Sequence, residues 1–222
     1  KVLNYANPLW YAEGNKLDGQ AKLIEVLDDL SDKIESEFPN DLDIQAELHH
    51  KSAEIYLAKG NFTKSLFHAE TALKTRRSIF GDKNAEVAKD MYYLASAYQK
   101  VKKFNKMQKL YEESAAIFRK VDAENPNLPY LLEDLGSYLR DTIEDYDKAE
   151  RTLTEALEIV RKKDGEIHYN TARLYFDLAG VLAKKGETAK ADEYFREGEK
   201  RFDQISEASL NNIIVHQKEI FE

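Results

Sequence analysis

The stretch "HHKSAEIYLAKGNFTKSLFHAETALK", His49 to Lys74, decides the fold. It opens on two adjacent histidines and breaks at Gly60-Asn61. On either side of the break, apolar and small residues recur at the i, i+3, i+4, i+7 spacing of a helix face. Two amphipathic segments joined by a short polar break read as a helical hairpin. The histidines do not make a metal site in this setting. Neighbours on a helix point about 100° apart, and the positions four residues on hold Ala53 and Glu54, so no H-E-x-x-H arrangement is present. In repeat register His49 is expected to pack between the helices and His50 to face the concave surface.

The same pattern returns three times, in "MYYLASAYQKVKKFNKMQKLYEESAAIF", "LLEDLGSYLRDTIEDYDKAERTLTEALEIV" and "YFDLAGVLAKKGETAKADEYFREGEKRF". Its anchor is a small residue, Ala53, Ala95, Gly136 or Ala179, at steps of 42, 41 and 43. Such a period is the signature of a solenoid, in which each unit buries its apolar faces only by stacking on its neighbours. A small anchor lets the second helix of a hairpin approach the first closely. Hairpin turns are predicted near Asn61, Lys103, Glu144 and Glu187, with one extra residue between the helices of the third copy.

These residues resemble the tetratricopeptide repeat family, whose first helix carries a large residue, then Leu-Gly or Leu-Ala, then Tyr or Leu. The third copy shows Leu132, Leu135-Gly136 and Leu139, followed by Tyr146, Ala149, Leu153 and Ala156. The second shows Met91, Leu94-Ala95, Tyr98, Phe104 and Tyr111, and the fourth Tyr175, Leu178-Ala179, Leu182, Gly186, Ala191 and Phe195. The first departs, with His49 and Ser52 at usually apolar places. The period of about 42 exceeds the family's usual 34. It is similar to that of kinesin light chains and of repeat regions attached to bacterial serine/threonine kinases and membrane-bound winged-helix regulators, as is the linker "FGDKNAEVA", Phe80 to Ala88.

The resemblance implies an all-α, right-handed superhelical solenoid in one domain. An incomplete leading repeat is expected at 1–42, with Leu23, Leu27 and Leu30 in second-helix phase. Repeats follow at 43–82, 83–123, 124–164 and 165–203, and a capping helix at 204–222, where Leu210, Ile213, Ile214, Gln217, Ile220 and Phe221 share a face. It also implies a ligand groove along the first helices. Its expected lining is Glu47, His50, Glu54 and Leu57; Lys89, Tyr92, Tyr93, Ser96 and Gln99; Tyr130, Glu133, Ser137 and Arg140; and Arg173, Phe176, Asp177, Gly180 and Lys184. The core of that set is His50, Glu54, Lys89, Tyr92, Tyr93, Tyr130, Glu133, Arg140, Arg173 and Phe176, with Tyr92, Tyr93, Tyr130 and Phe176 as aromatic anchors outside the repeat core. The Lys/Asn carboxylate clamp of chaperone-binding members is unmatched, because its places hold His50, Glu54 and Tyr93. Tyrosines replace the groove asparagines typical of kinesin light chains.

Composition narrows the chemistry. The chain has 222 residues and no cysteine, which removes thiol catalysis and thiolate metal sites. A net charge of −8 disfavours nucleic acid as a partner. Arg77, Arg119 and Arg161, 42 residues apart, are expected near the ends of second helices, as is Lys200-Arg201, where cations complement the helix dipole. "GNKLDGQ" lacks the Lys-Ser/Thr of a phosphate loop, and "DAENPNLPYLLE" places Pro126 and Asn127 where a calcium loop needs a ligand and a glycine. Asn61-Phe62-Thr63 fits a glycosylation sequon, which matters only in a secreted setting. No apolar run reaches membrane-span length. The chain begins with Lys1, which suggests a processed protein or an excised piece.

The expected function is therefore a non-catalytic module, without cofactor or metal, that binds a peptide or partner helix in its groove. The alternative is a sensory or regulatory C-terminal domain of a larger bacterial signalling protein, a kinase or transcription regulator, acting by ligand binding or oligomerisation. A homo-oligomer stays open, and the expected setting is soluble, cytoplasmic ahead of periplasmic.

Overall fold

The computed structural model describes residues 29–31 and 33–221, with side-chain placement as far as Ser206. Among these residues every regular element is helical. After a single turn at Ile34–Glu37 come four antiparallel pairs: α1 (Leu42–Ala58) with α2 (Phe62–Phe80), α3 (Ala85–Lys100) with α4 (Phe104–Val121), α5 (Leu128–Tyr138) with α6 (Tyr146–Asp164), and α7 (Tyr169–Lys184) with α8 (Thr188–Phe221). Each second helix packs on its own first helix, and α2, α4 and α6 pack also on the first helix of the next pair. Leu23 and Leu27 of the expected leading repeat lie outside the described residues.

The helix starts are set by local chemistry. Asp41, Asn61, Asn84, Asp145 and His168 each accept a hydrogen bond from a backbone N–H of the first turn they cap, satisfying a donor that has no partner within the helix. Every hairpin turns through one left-handed residue, Gly60, Lys102, Glu144 or Gly186, at steps of 42. Gly136 nevertheless stands eight residues before its turn, whereas Ala53, Ala95 and Ala179 stand seven before theirs. The extra residue is absorbed by a π-helical turn, Leu139–Ile143, at the end of α5. A wider turn of this kind takes up an insertion without shifting the register on either side.

The anchors behave as their size requires. Ala53, Ala95 and Ala179 are buried, and a Cβ placed on Gly136 would lie 2.6 Å from Leu153 Cγ on α6. The core runs unbroken through the pairs, from Ala53 and Leu73 through Met107, Tyr111, Phe118 and Leu132 to Leu178 and Val181.

Two expectations are corrected here. Arg77, Arg119 and Arg161 do stand in the last turns of α2, α4 and α6. Lys200 and Arg201 do not, because α8 continues to Phe221; Arg201 instead lies 4.1 Å over the Tyr175 ring and bonds Glu166. The same continuity makes residues 204–221 part of α8, where a separate capping helix was expected at 204–222.

Candidate functional site

The expected groove residues lie along α1, α3, α5 and α7, and the structure gives most of them a partner on the next first helix. His50 Nδ1 lies 2.7 Å from Asp90 Oδ1. Tyr93 donates to Glu54. Tyr92 Oη donates to Asp134 Oδ2 at 3.3 Å, and Tyr111 Oη of α4 donates to the same oxygen at 3.4 Å. Asn170 Nδ2 donates to Tyr130 Oη at 3.2 Å, Arg173 to Glu133 at 2.5 Å, and Arg140 Nη1 to Asp177 Oδ1 at 3.1 Å. The first-helix face is thus a ladder whose rungs tie consecutive repeats, at separations of 37 to 42 residues.

The rungs hold their charges in different ways. Burial alone would raise Glu54, but the bonds from Lys51 and Tyr93 with the nearby His50 hold it below the usual range. Burial pushes Glu133 up to about 7 in spite of Arg173, with Asp177 and Asp134 adding repulsion. Asp134 is likewise raised by burial, although two tyrosine hydroxyls donate to it. Burial also raises Tyr92, Tyr93 and Tyr111, so these hydroxyls remain donors.

Several residues sit differently from their expected place. His50 is 1% exposed, lying beneath the edge of Tyr93 with ring centroids 4.6 Å apart, so it cannot touch a ligand in a groove. Tyr92 is half-buried against the core and bonded to Asp134, so it belongs to the repeat interface rather than standing free of it. Phe176 packs on α8, where a Cβ on Gly198 would meet its ring at 2.7 Å. Of the four expected aromatic anchors only Tyr130, 41% exposed, presents a large surface. Lys89 is held by Glu86 at 3.2 Å, and Lys184 is exposed.

A buried polar cluster was missed in the sequence. Arg76 and Asp90 are both buried, with Arg76 Nε 2.8 Å from Asp90 Oδ2 and Arg76 Nη2 paired with Glu47. The equivalent pairs in the next two interfaces are Phe118 with Leu131 and Val160 with Leu174, all buried. One interface of three therefore carries an ion pair where the others carry hydrocarbon. Stepping back from Phe118 by 42 finds Arg76, and that signal lay hidden in the basic run "KTRR". His49 lies between α1 and α2 as expected, its Nδ1 2.8 Å from His68 Nδ1 and its Nε2 3.0 Å from Glu35.

None of this makes a reaction centre. The His50–Asp90 dyad resembles two-thirds of a hydrolytic triad, but it is sealed from solvent and pairs with Arg76 rather than with a nucleophile. An open cleft of about 360 Å³ at the α5–α6 turn is lined by Glu144, Asp145, Tyr146, Asp147, Lys184 and Lys185. Its Lys185 is already matched by Asp147 at 2.7 Å and Glu150 at 2.6 Å. Among the described residues no group of three His, Asp or Glu is placed to hold a metal ion, and no helix is long and apolar enough to cross a membrane.

The tetratricopeptide repeat profile matches at residues 44–120, 90–162 and 130–204. The chain belongs to the tetratricopeptide repeat family. Several solved structures share the fold. BtubC (BKLC) from P. vanneervenii superposes with a TM-score of 0.69 at 19% identity, over 92% of this chain and 86% of its own. A putative kinesin light chain with nearly identical TPR-like repeats from Podosopora anserina gives 0.68 at 17%, over 83% and 87%. MamA gives 0.62 at 15%, over 88% and 99%. At these identities the likeness is one of fold. No curated protein matches the chain. The likeness in fold includes kinesin-light-chain-like repeats, and tetratricopeptide repeats suggest a scaffold for protein–protein interaction.

Proposed function

We propose that this tetratricopeptide domain is a non-catalytic scaffold that holds a segment of a partner polypeptide along its first-helix face. The observation that carries this reading is the ladder itself. Glu54, Glu133, Arg173, Arg140 and Asp177 are each only partly covered and each fixed in direction by a neighbouring repeat. Donors and acceptors held this way lose little side-chain entropy when a peptide arrives, which favours binding. The alternation of acids and arginines suits a peptide with charges of both signs, and Tyr130 at the third repeat supplies an aromatic contact of the kind that dominates binding energy.

The test is direct. Peptides are selected against the chain from a random display library, and their affinities are measured by fluorescence anisotropy. Tyr130→Ala and Arg140→Ala should each weaken binding tenfold or more, about 1.4 kcal/mol. Lys109→Ala, on the exposed side of α4, should change nothing. Equal losses at all three positions, or none at the first two, would reject the first-helix face as the site.

A further inference from the structure

Among the described residues, one face carries positions that are buried elsewhere in the repeats and is itself exposed. Along the second helices, three positions spaced i, i+4, i+7 recur at steps of 42. They are Ala69, Leu73 and Arg76 on α2, Tyr111, Ala115 and Phe118 on α4, and Leu153, Leu157 and Val160 on α6, and all nine are 5% exposed or less. Each stripe lies at the junction with the next pair, where α3, α5 and α7 pack on α2, α4 and α6. On α8 the same positions hold Phe195, Glu199 and Phe202. Phe195 is 49% exposed and Phe202 46%, with Phe195 meeting only the edge of the junction at Phe176, 5.2 Å between centroids.

The same helix supplies what is missing. From Ser206 to Phe221 it continues for sixteen residues past the part that pairs with α7, as long as α7 itself and about 24 Å at the rise of an α-helix. Phe202, Ile213 and Ile220 follow Phe195 by 7, 18 and 25 residues. These intervals are close to whole numbers of 3.6-residue turns, so the four positions share one face of α8. A helical segment of first-helix length, with apolar residues at positions in phase with Phe195 and Phe202, thus continues from a junction that is exposed among the described residues. It cannot fold back on that junction, because the two are parts of one unbroken helix. It can reach the junction of another molecule.

We infer that α8 is a dimerisation element. Two copies pair their α8 helices antiparallel about a two-fold axis near Ser206, and the extension of each takes the place over Phe195 and Phe202 that α7 takes over Leu153 and Val160. Both bare junctions are covered at once and the assembly closes, as an isologous contact must. Register about that axis sets residue 202 against residue 210 and residue 199 against residue 213. The pairing leaves the first-helix face free and is independent of the peptide-binding reading.

The chain's lack of cysteine makes the test clean. Light scattering during size exclusion should give twice 25.6 kDa. Phe202→Asp and, separately, Ile213→Asp should each give a monomer of unchanged helicity. The second lies beyond the packed pairs, so its loss of dimer cannot be ascribed to unfolding of the repeats. Ser206→Cys should cross-link to its own copy under mild oxidation, while Glu193→Cys, on an exposed position of α8 away from the stripe, should not. A monomeric parent chain, a dimer that survives both aspartates, or a dimer in which Cys at 193 cross-links and Cys at 206 does not would overturn the inference.

Discussion

Adding one methyl group at Gly136 should cost more stability than any other small change in a first helix. An alanine Cβ there would stand 2.6 Å from Leu153 Cγ and 2.7 Å from its Cδ2, about 1 Å inside ordinary carbon contact. Leu153 is fully buried and cannot swing into solvent. Either α6 moves away from α5 or the leucine leaves its rotamer, and overpacking of this kind costs about 1–3 kcal/mol. The helical preference of alanine over glycine returns about 1 kcal/mol, leaving a net loss of up to about 2 kcal/mol. Gly180→Ala is the control, since its Cβ would meet only the flexible end of Arg140 at 3.3 Å; it should be neutral or slightly stabilising. Leu153→Ala alone should cost about 2–5 kcal/mol, and the double variant less than the sum, because each change relieves the other. Urea denaturation followed by circular dichroism measures all four. A Gly136→Ala chain as stable as Gly180→Ala, or strict additivity with Leu153→Ala, would refute the close approach of α5 and α6.

The buried pair gives a second contrast: Asp90→Ala should destabilise by about 3 kcal/mol or more, because His50 loses its buried acceptor and Arg76 keeps only the partly exposed Glu47 beside it. Replacing both partners, Arg76→Phe with Asp90→Leu, copies the junction of Phe118 with Leu131 and should recover most of that loss in the same denaturation assay. Lys102 adopts a left-handed conformation at φ 59°, which costs a side-chain-bearing residue about 1–2 kcal/mol. Part of that is offset by glycine's extra freedom when unfolded, so Lys102→Gly should raise the melting temperature modestly, and Gly60→Ala at the matching turn should lower it. Glu133, raised from 4.5 to about 7 by burial, keeps a proton in the folded state that the unfolded chain has released, so its contribution to stability falls as pH rises from about 4.5 to 7. Over that window Glu133→Gln should gain about 1–3 kcal/mol relative to the parent; a constant difference between the two curves would count against the buried carboxylate.

The hairpins were legible because they rest on short-range rules. Small anchors at a fixed step, turn residues before each second helix and caps such as Asn61 and Asp145 are written in single residues. Even the insertion in the third repeat showed as a count, although its resolution into a π-turn at Leu139–Ile143 depends on backbone geometry that a count does not carry. The first-helix face was harder. Spacing brings Tyr92, Glu133 and Arg140 to the right helices, but whether a side chain meets solvent or the next repeat depends on what stands opposite about 40 residues away. Asp134, which receives Tyr92, and Asp90, which receives His50, read in the sequence as ordinary polar positions, and the pairing of Arg140 with the groove residue Asp177 did not show either. Gly198 was passed over for the same reason: only alignment with Ala72, Ser114 and Ala156 shows that it must be small, and Phe176 lies against it. The end of α8 misled because an apolar face predicts that a helix will be covered without saying by what.

Site-specific photo-crosslinking tests the scaffold reading most directly. A photoreactive phenylalanine analogue is placed at Tyr130 on the first-helix face or at Lys109 on the opposite side of the repeats, and each chain is irradiated with a labelled peptide chosen from the display selection. The account predicts a crosslinked peptide from position 130 and none from position 109, with the signal at 130 lost under an excess of unlabelled peptide. Crosslinking from position 109 alone would place the partner on the outer helices and contradict the central claim.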